Sequence, residues 1–128
     1  MSENELVEMT VERAQEVKIN TEKEIRARFI PDEEICGFVM FDGEFIQIKN
    51  ISENKSFHYV MEPVEQVQAL MKGPADLIWH THPNNLAIPS SIDLGGAQKN
   101  TKYLIYSGVE DAFRLWFFDG VKFVDTEW

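Results

Sequence analysis

Asp76-Leu77-Ile78-Trp79-His80-Thr81-His82-Pro83-Asn84-Asn85-Leu86-Ala87-Ile88-Pro89-Ser90-Ser91-Ile92-Asp93 is the stretch on which the reading of this chain turns. Asp76 to His82 reads as a central strand, apolar and closed by two histidines. Pro83 ends it, because proline cannot donate to a sheet ladder. After a loop containing a second proline, Ser90 or Ser91 can cap a helix running from Ser90 to Asn100, although Gly95-Gly96 weakens it. Two histidines at i and i+2 on a strand point to the same side, so both imidazoles can reach one ion at the strand end. Asp93 falls in the first turn of the next helix, and a loop of this length can return that turn beside the strand. Two nitrogens and one carboxylate oxygen leave a tetrahedral site with an open position for water, the arrangement of catalytic rather than structural zinc. A plainer reading of the same residues is a chance His-x-His pair with Asp93 as a favourable charge at a helix N-terminus.

Upstream, Ile35 to Phe41 is an unbroken apolar run, Asp42-Gly43 is a two-residue hairpin signal, and Phe45, Ile46 and Ile48 form the returning strand. Asn50 to Ser56 reads as a polar loop, Phe57 to Val60 as a strand, and Pro63 to Lys72 as a helix with Gly73 just past its end. Downstream, strands are expected over Tyr103 to Tyr106, Phe113 to Phe118 and Val121 to Val124, with Asp119-Gly120 turning the last hairpin. Residues 1–16 carry five acids and one base and read as an acidic helix or arm, which leaves 17–128 as the main domain. Val17 and Ile19 alternate like a short strand, and Thr21-Glu22-Lys23-Glu24 reads as a capping box that starts a new helix. The competing reading is one long helix from residue 4 to 29. Together these elements predict a single α/β domain of the α+β type, with a mixed, largely antiparallel sheet flanked by helices.

The 128 residues carry 12 Lys+Arg against 22 Asp+Glu, a formal charge of −10, and are 44% hydrophobic. That is enough apolar material for a core at this length. The acidic balance argues against nucleic acid and against anionic membrane as partners, since both are bound through clustered Lys and Arg. Cys36, the single cysteine, excludes an intrachain disulfide and any cysteine-only metal cluster, so a metal must be held by His and carboxylate. The N-terminus lacks a basic start and an apolar segment for secretion, and no stretch is long enough to span a bilayer, so a cytoplasmic location is the expectation.

His80-Thr81-His82-Pro83, then six residues, then Ser90-Ser91-Ile92-Asp93, preceded by Glu34-Ile35-Cys36-Gly37, resembles the signature of the JAMM (MPN-plus) zinc metallopeptidases. The similarity runs from about Val17 to the C-terminus. It implies an MPN/JAMM-like (cytidine deaminase-like) fold and hydrolysis of a peptide or isopeptide amide. It also implies one zinc ion ligated by His80, His82 and Asp93, with Glu34 as the acid/base acting on the metal-bound water and Ser90 steadying the oxyanion. Ser90 also suits helix capping, and its hydroxyl has capacity for both. Glu33 is adjacent to Glu34, but only Glu34 has the Glu-x-Cys-Gly spacing. Cys36 reads as a small buried residue and not a nucleophile, His58 as a packing or surface histidine, and Trp79 as core on the face opposite His80. Gly37 permits close backbone packing, and Asn84 and Asn85 border the cleft.

The absence of long insertions resembles the minimal prokaryotic and phage branches of that family, and the Asn50 to Pro63 segment resembles the phage-tail branch most. The expected substrate is a protein or peptide, either a ubiquitin-like protein or a phage tail protein, the latter with a virion-associated location. Two rivals remain at this level. One is a catalytically silent MPN-type scaffold; the other is a zinc hydrolase of a non-peptide amide, although zinc deaminases show a Pro-Cys-x-x-Cys motif that this chain lacks.

Overall fold

In the computed structural model, residues 3–128 are described, with side chains from residue 11 onward; Met1, Ser2 and the side chains of residues 3–10 lie outside it, and with them much of the acidic segment over 1–16. Helix α1 (Glu3–Arg28) is continuous. The break expected over Lys18 to Thr21, with its strand and new cap, does not form. The reason is a stripe at four-residue spacing: Val17 packs on the core, Thr21 and Ile25 are fully buried, and Phe29 follows beyond the helix end. Thr21 is thus a mid-helix core residue, while Ile19 is exposed.

Strands β1 (Cys36–Met40) and β2 (Phe45–Ile48) form the expected hairpin, in which Gly43 takes φ +91 and donates to the Met40 carbonyl. Helix α2 (Pro63–Leu70) is capped by the Glu62 carboxylate, which accepts from the Val64 and Glu65 amides. Strand β3 (Ala75–His82) is followed by helix α3 (Ser91–Gly96), which stops short of the expected Asn100 because Ala97 is extended. Two consecutive glycines, weak helix formers with open space around them, give no reason to continue it. Strands β4 (Thr101–Ser107), β5 (Ala112–Phe118) and β6 (Phe123–Thr126) complete the chain.

The six strands form one sheet in the order β2-β1-β3-β4-β5-β6, so the expected mixed, largely antiparallel sheet is present. Only β3 and β4 run parallel, with His80 opposite Ile105 and His82 opposite Ser107. Parallel neighbours require a crossover, and here α3 lies within it. One face packs Val39, Leu77, Trp79, Leu104 and Leu115 against Ile25 of α1; the other packs Phe38, Met40 and Ile48 against Ala69 of α2. Strand alternation places Trp79 in the first core, where it is fully buried and stacked on Phe45 with ring centroids 5.0 Å apart. His80 and His82 consequently project from the opposite face.

The strand expected over Phe57 to Val60 is absent. Between Ile51 and Val60 the chain forms turns, closed at its base by an isolated bridge between Asn50 and Met61. Among the described residues no helix is long and apolar enough to cross a membrane.

Gly37 has an ordinary reason to lack a side chain: a Cβ there would lie 1.9 Å from the Ile46 carbonyl oxygen and 2.8 Å from the Trp79 ring. Gly37→Ala is therefore expected to lose more than about 3 kcal/mol in urea unfolding, above the usual range for overpacking. Gly95→Ala, where nothing lies within 4 Å, should instead gain up to about 1 kcal/mol from helix propensity.

Candidate metal centre

The crossover returns the first turn of α3 beside the carboxyl end of β3. Ser90 is the N-cap of α3: its hydroxyl accepts from the Asp93 amide at 3.1 Å, and the Asp93 carboxylate accepts from the Ser90 amide at 2.8 Å. This capping box holds Asp93 with its oxygens towards the strand, 3.3 Å from His80 Nε2 and 3.2 Å from His82 Nε2. The loop between is fastened by Ser107 Oγ to the Asn85 carbonyl at 2.7 Å and by Trp116 Nε1 to the Ala87 carbonyl at 3.0 Å.

Glu34 arrives from the other side, two residues before β1. Its amide donates to the Lys55 carbonyl, its carbonyl accepts from Asn50 Nδ2 at 2.8 Å, and the next residue, Ile35, donates to Thr81 Oγ1 of β3. Its backbone is thus fixed while its side chain points into the centre, buried, with Oε1 lacking a hydrogen-bond partner among the described residues. Glu34, His80, His82 and Asp93 each offer a ligand atom within 4.8 Å of the others. They are four of the five site residues expected from the sequence. The fifth, Ser90, stands at the rim of the adjoining cleft of about 330 Å³, with Ser56, Phe57, Pro83, Asn84, Asn85 and Ile92.

The donor chemistry of this group fits a cation. His82 Nδ1 lies 2.8 Å from the Leu86 carbonyl, a group that only accepts, so Nδ1 carries the proton. In the neutral ring Nε2 is then a lone pair, and it faces the Asp93 carboxylate at 3.2 Å and His80 Nε2 at 3.1 Å. Lone pairs converging on one point are favourable only around a proton or a metal ion. The titration of the group reflects that demand. Burial pushes the His82 imidazole down, but Asp93 and the Leu86 carbonyl outweigh it and leave its pKa raised. His80 is lowered, because burial outweighs Asp93. Burial works against the Asp93 carboxylate too, yet the two imidazoles hold it well below the usual carboxylate range.

Cys36 is fully buried and its thiol is pushed up to about 12 by burial, so it stays protonated and is no nucleophile. His58 is not part of the cluster; its Nδ1 pairs with Ser52 Oγ at 3.2 Å. Two residues escaped the sequence reading. Asn50 uses its whole hydrogen-bonding capacity, donating to the Glu34 and His58 carbonyls and accepting from the Ser52 and Val60 amides. Tyr59 lies with its ring against His80. The available signal was the polar spacing Asn50-x-Ser52-x-Asn54, since Asx and Ser/Thr turns bind the backbone two residues on.

Comparison with known proteins agrees with this geometry. Residues 23–119 match the model of a family described as prokaryotic homologs of the JAB domain. The fold is similar to the solution structure of a protein from Desulfitobacterium hafniense, with a TM-score of 0.72 and 21% identity over 84% of this chain and 86% of that one. No curated protein matches the sequence.

The Glu34 carboxyl gives a pH signature in metal-free protein. Burial raises its pKa from 4.5 to about 7, so the folded chain retains a proton that the unfolded chain releases. Its stabilising contribution is complete below the unfolded value and is lost as pH rises through the folded one. In the presence of a chelator, the parent should lose up to about 3 kcal/mol more than Glu34→Gln between about pH 5 and about pH 8, measured by denaturant unfolding.

Proposed function

The chain belongs to the family of prokaryotic homologs of the JAB domain, and from that premise we propose that it is a zinc metallopeptidase that hydrolyses a peptide or isopeptide amide. The observation that carries the reading is the His82 tautomer: a fixed Nδ1–H leaves a buried lone pair aimed at a carboxylate and a second imidazole. His80, His82 and Asp93 would hold the ion, and one zinc per chain suits two nitrogens, one oxygen and an open position. Zinc in such a site supplies Lewis acidity, polarising a carbonyl and bringing the pKa of water to about 7.

The chain's own residues supply the rest. Glu34 has a pKa raised to about 7 by burial, and its unpartnered Oε1 faces the other three side chains. At neutral pH such a carboxylate can take the proton of the attacking water and return it to the departing amine. The amide C–N bond breaks as water's oxygen bonds to the carbonyl carbon, leaving one carboxylic acid and one amine. Ser90 Oγ accepts from the Asp93 amide, and its own proton remains for the oxyanion that develops on the carbonyl. The cap and the catalytic role are therefore compatible on one hydroxyl.

A protein or peptide substrate entering beside Phe57 and Ile92 would place its scissile amide over Glu34 and Ser90, all of which line the same cleft. Processing of a ubiquitin-like protein and cleavage in phage tail assembly are the two settings that the sequence resemblance supports. The reading as a silent scaffold makes the opposite claim about the metal, so metal content separates the two.

Protein purified without an affinity tag for metal should hold about one zinc per chain by elemental mass spectrometry, and Asp93→Ala should lose most of it. With peptide and ubiquitin-like substrates, Glu34→Gln should keep its zinc while losing about 10²- to 10⁴-fold in kcat. Absence of metal uptake by the parent would overturn the peptidase in favour of the scaffold.

A further inference from the structure

The two imidazoles of the centre are held differently. His82 has a partner at each ring nitrogen, with the Leu86 carbonyl fixing its plane through Nδ1. His80 directs Nε2 to the same centre, but its Nδ1 is buried with no hydrogen-bond partner among the described residues. Ligand imidazoles ordinarily donate their second N–H to a carboxylate, a carbonyl or water, and that bond fixes the ring plane and the tautomer. His80 is 1% exposed and lacks it.

What lies on the His80 ring is Tyr59, with centroids 4.6 Å apart and planes inclined by 30°. No strand holds Tyr59 there. Asn50 does so, by taking the His58 carbonyl and the Val60 amide, the two peptide groups that flank Tyr59. Asn50 is buried at the end of β2 and also binds the Glu34 carbonyl, so one amide side chain sets both Tyr59 and the acid/base beside the same centre.

We infer that Tyr59 is a positioning residue of the metal centre: its ring, laid on His80, fixes the plane of an imidazole whose Nδ1 finds no hydrogen-bond partner among the described residues. The inference rests on the reading of His80 as a ligand. It assigns the work to the face of the ring and none to the phenol. Tyr59→Phe should therefore behave as the parent, while Tyr59→Leu, which keeps apolar cover without a planar face, should not.

The test is the zinc affinity of the full chain, by competition with a chromogenic chelator, together with the ligand-field spectrum of the cobalt(II) form. Tyr59→Phe is expected within about 2-fold of the parent, and Tyr59→Leu and Tyr59→Ala about 10- to 100-fold weaker with altered cobalt bands, the range for loss of an orienting partner. If Tyr59→Ala fails to fold, Tyr59→Leu carries the test, and thermal unfolding of the metal-free forms separates folding from affinity. Parent-like affinity and spectrum in Tyr59→Leu would overturn the inference, as would a Tyr59→Phe as weak as Tyr59→Leu. A parent that takes up no metal would instead overturn the metallopeptidase reading on which it rests.

Discussion

The parallel pairing of β3 with β4 is the constraint from which the rest of the molecule follows. Antiparallel neighbours can be joined by a tight turn, but two parallel strands need a crossover that carries the chain back the length of the sheet. The crossover here begins at Pro83, and α3 starts within it beside the strand end that bears His80 and His82. Asp93 meets the histidines because the chain must pass that point to begin β4 in register. The same pairing places β3 between β1 and β4, so the two histidines sit on a strand hydrogen-bonded on both edges.

Such a centre opposes the stability of the domain that contains it. Two imidazoles and two carboxylates are withdrawn from water at the edge of an apolar core, and burying polar groups without full partners is unfavourable. Among the described residues Glu34 Oε1 and His80 Nδ1 have no hydrogen-bond partner. The surrounding apolar layers offset this. Ile25, Trp79 and Leu104 on one face and Phe38, Met40 and Ile48 on the other are almost wholly buried, and burial of each such side chain contributes on the order of 2 kcal/mol. Strain of this kind concentrates at functional sites and is retained only where neighbouring structure over-determines it.

Part of the centre was legible from spacing alone: two residues apart on a strand means the same face, which brings His80 and His82 together, and Asp93 falls in the first turn of the next helix. Glu34 and the catalytic role of Ser90 came only through the family resemblance, because no local periodicity links residue 34 to residue 80. The hairpins followed from their turn signals and apolar runs, whereas the order of the strands, with β3 between β1 and β4, was not read from the sequence. What the sequence concealed was decided by tertiary partners. Thr21 resembles a cap until Val17, Ile25 and Phe29 are seen to share its face against the sheet. Phe57 to Val60 alternates like a strand, yet beyond the Asn50–Met61 bridge it does not extend the sheet past β2, because Asn50 occupies the His58 carbonyl and the Val60 amide that a ladder would use.

Cys36 gives the molecule a reporter that it carries naturally. The thiol sits on β1 opposite His80, is fully buried and stays protonated at neutral pH, so a thiol-directed reagent meets it only after β1 separates from its neighbours. The rate of that labelling counts excursions of the strand next to the centre, without any added probe and without reference to turnover. Because it is the single cysteine of the chain, the signal needs no deconvolution. Occupancy of the centre by an ion held by His80 and His82 of β3 and Asp93 of α3 would slow the labelling in proportion to how far binding suppresses that opening. The frequency with which the protein breathes at this strand thus becomes a direct gauge of ligand affinity.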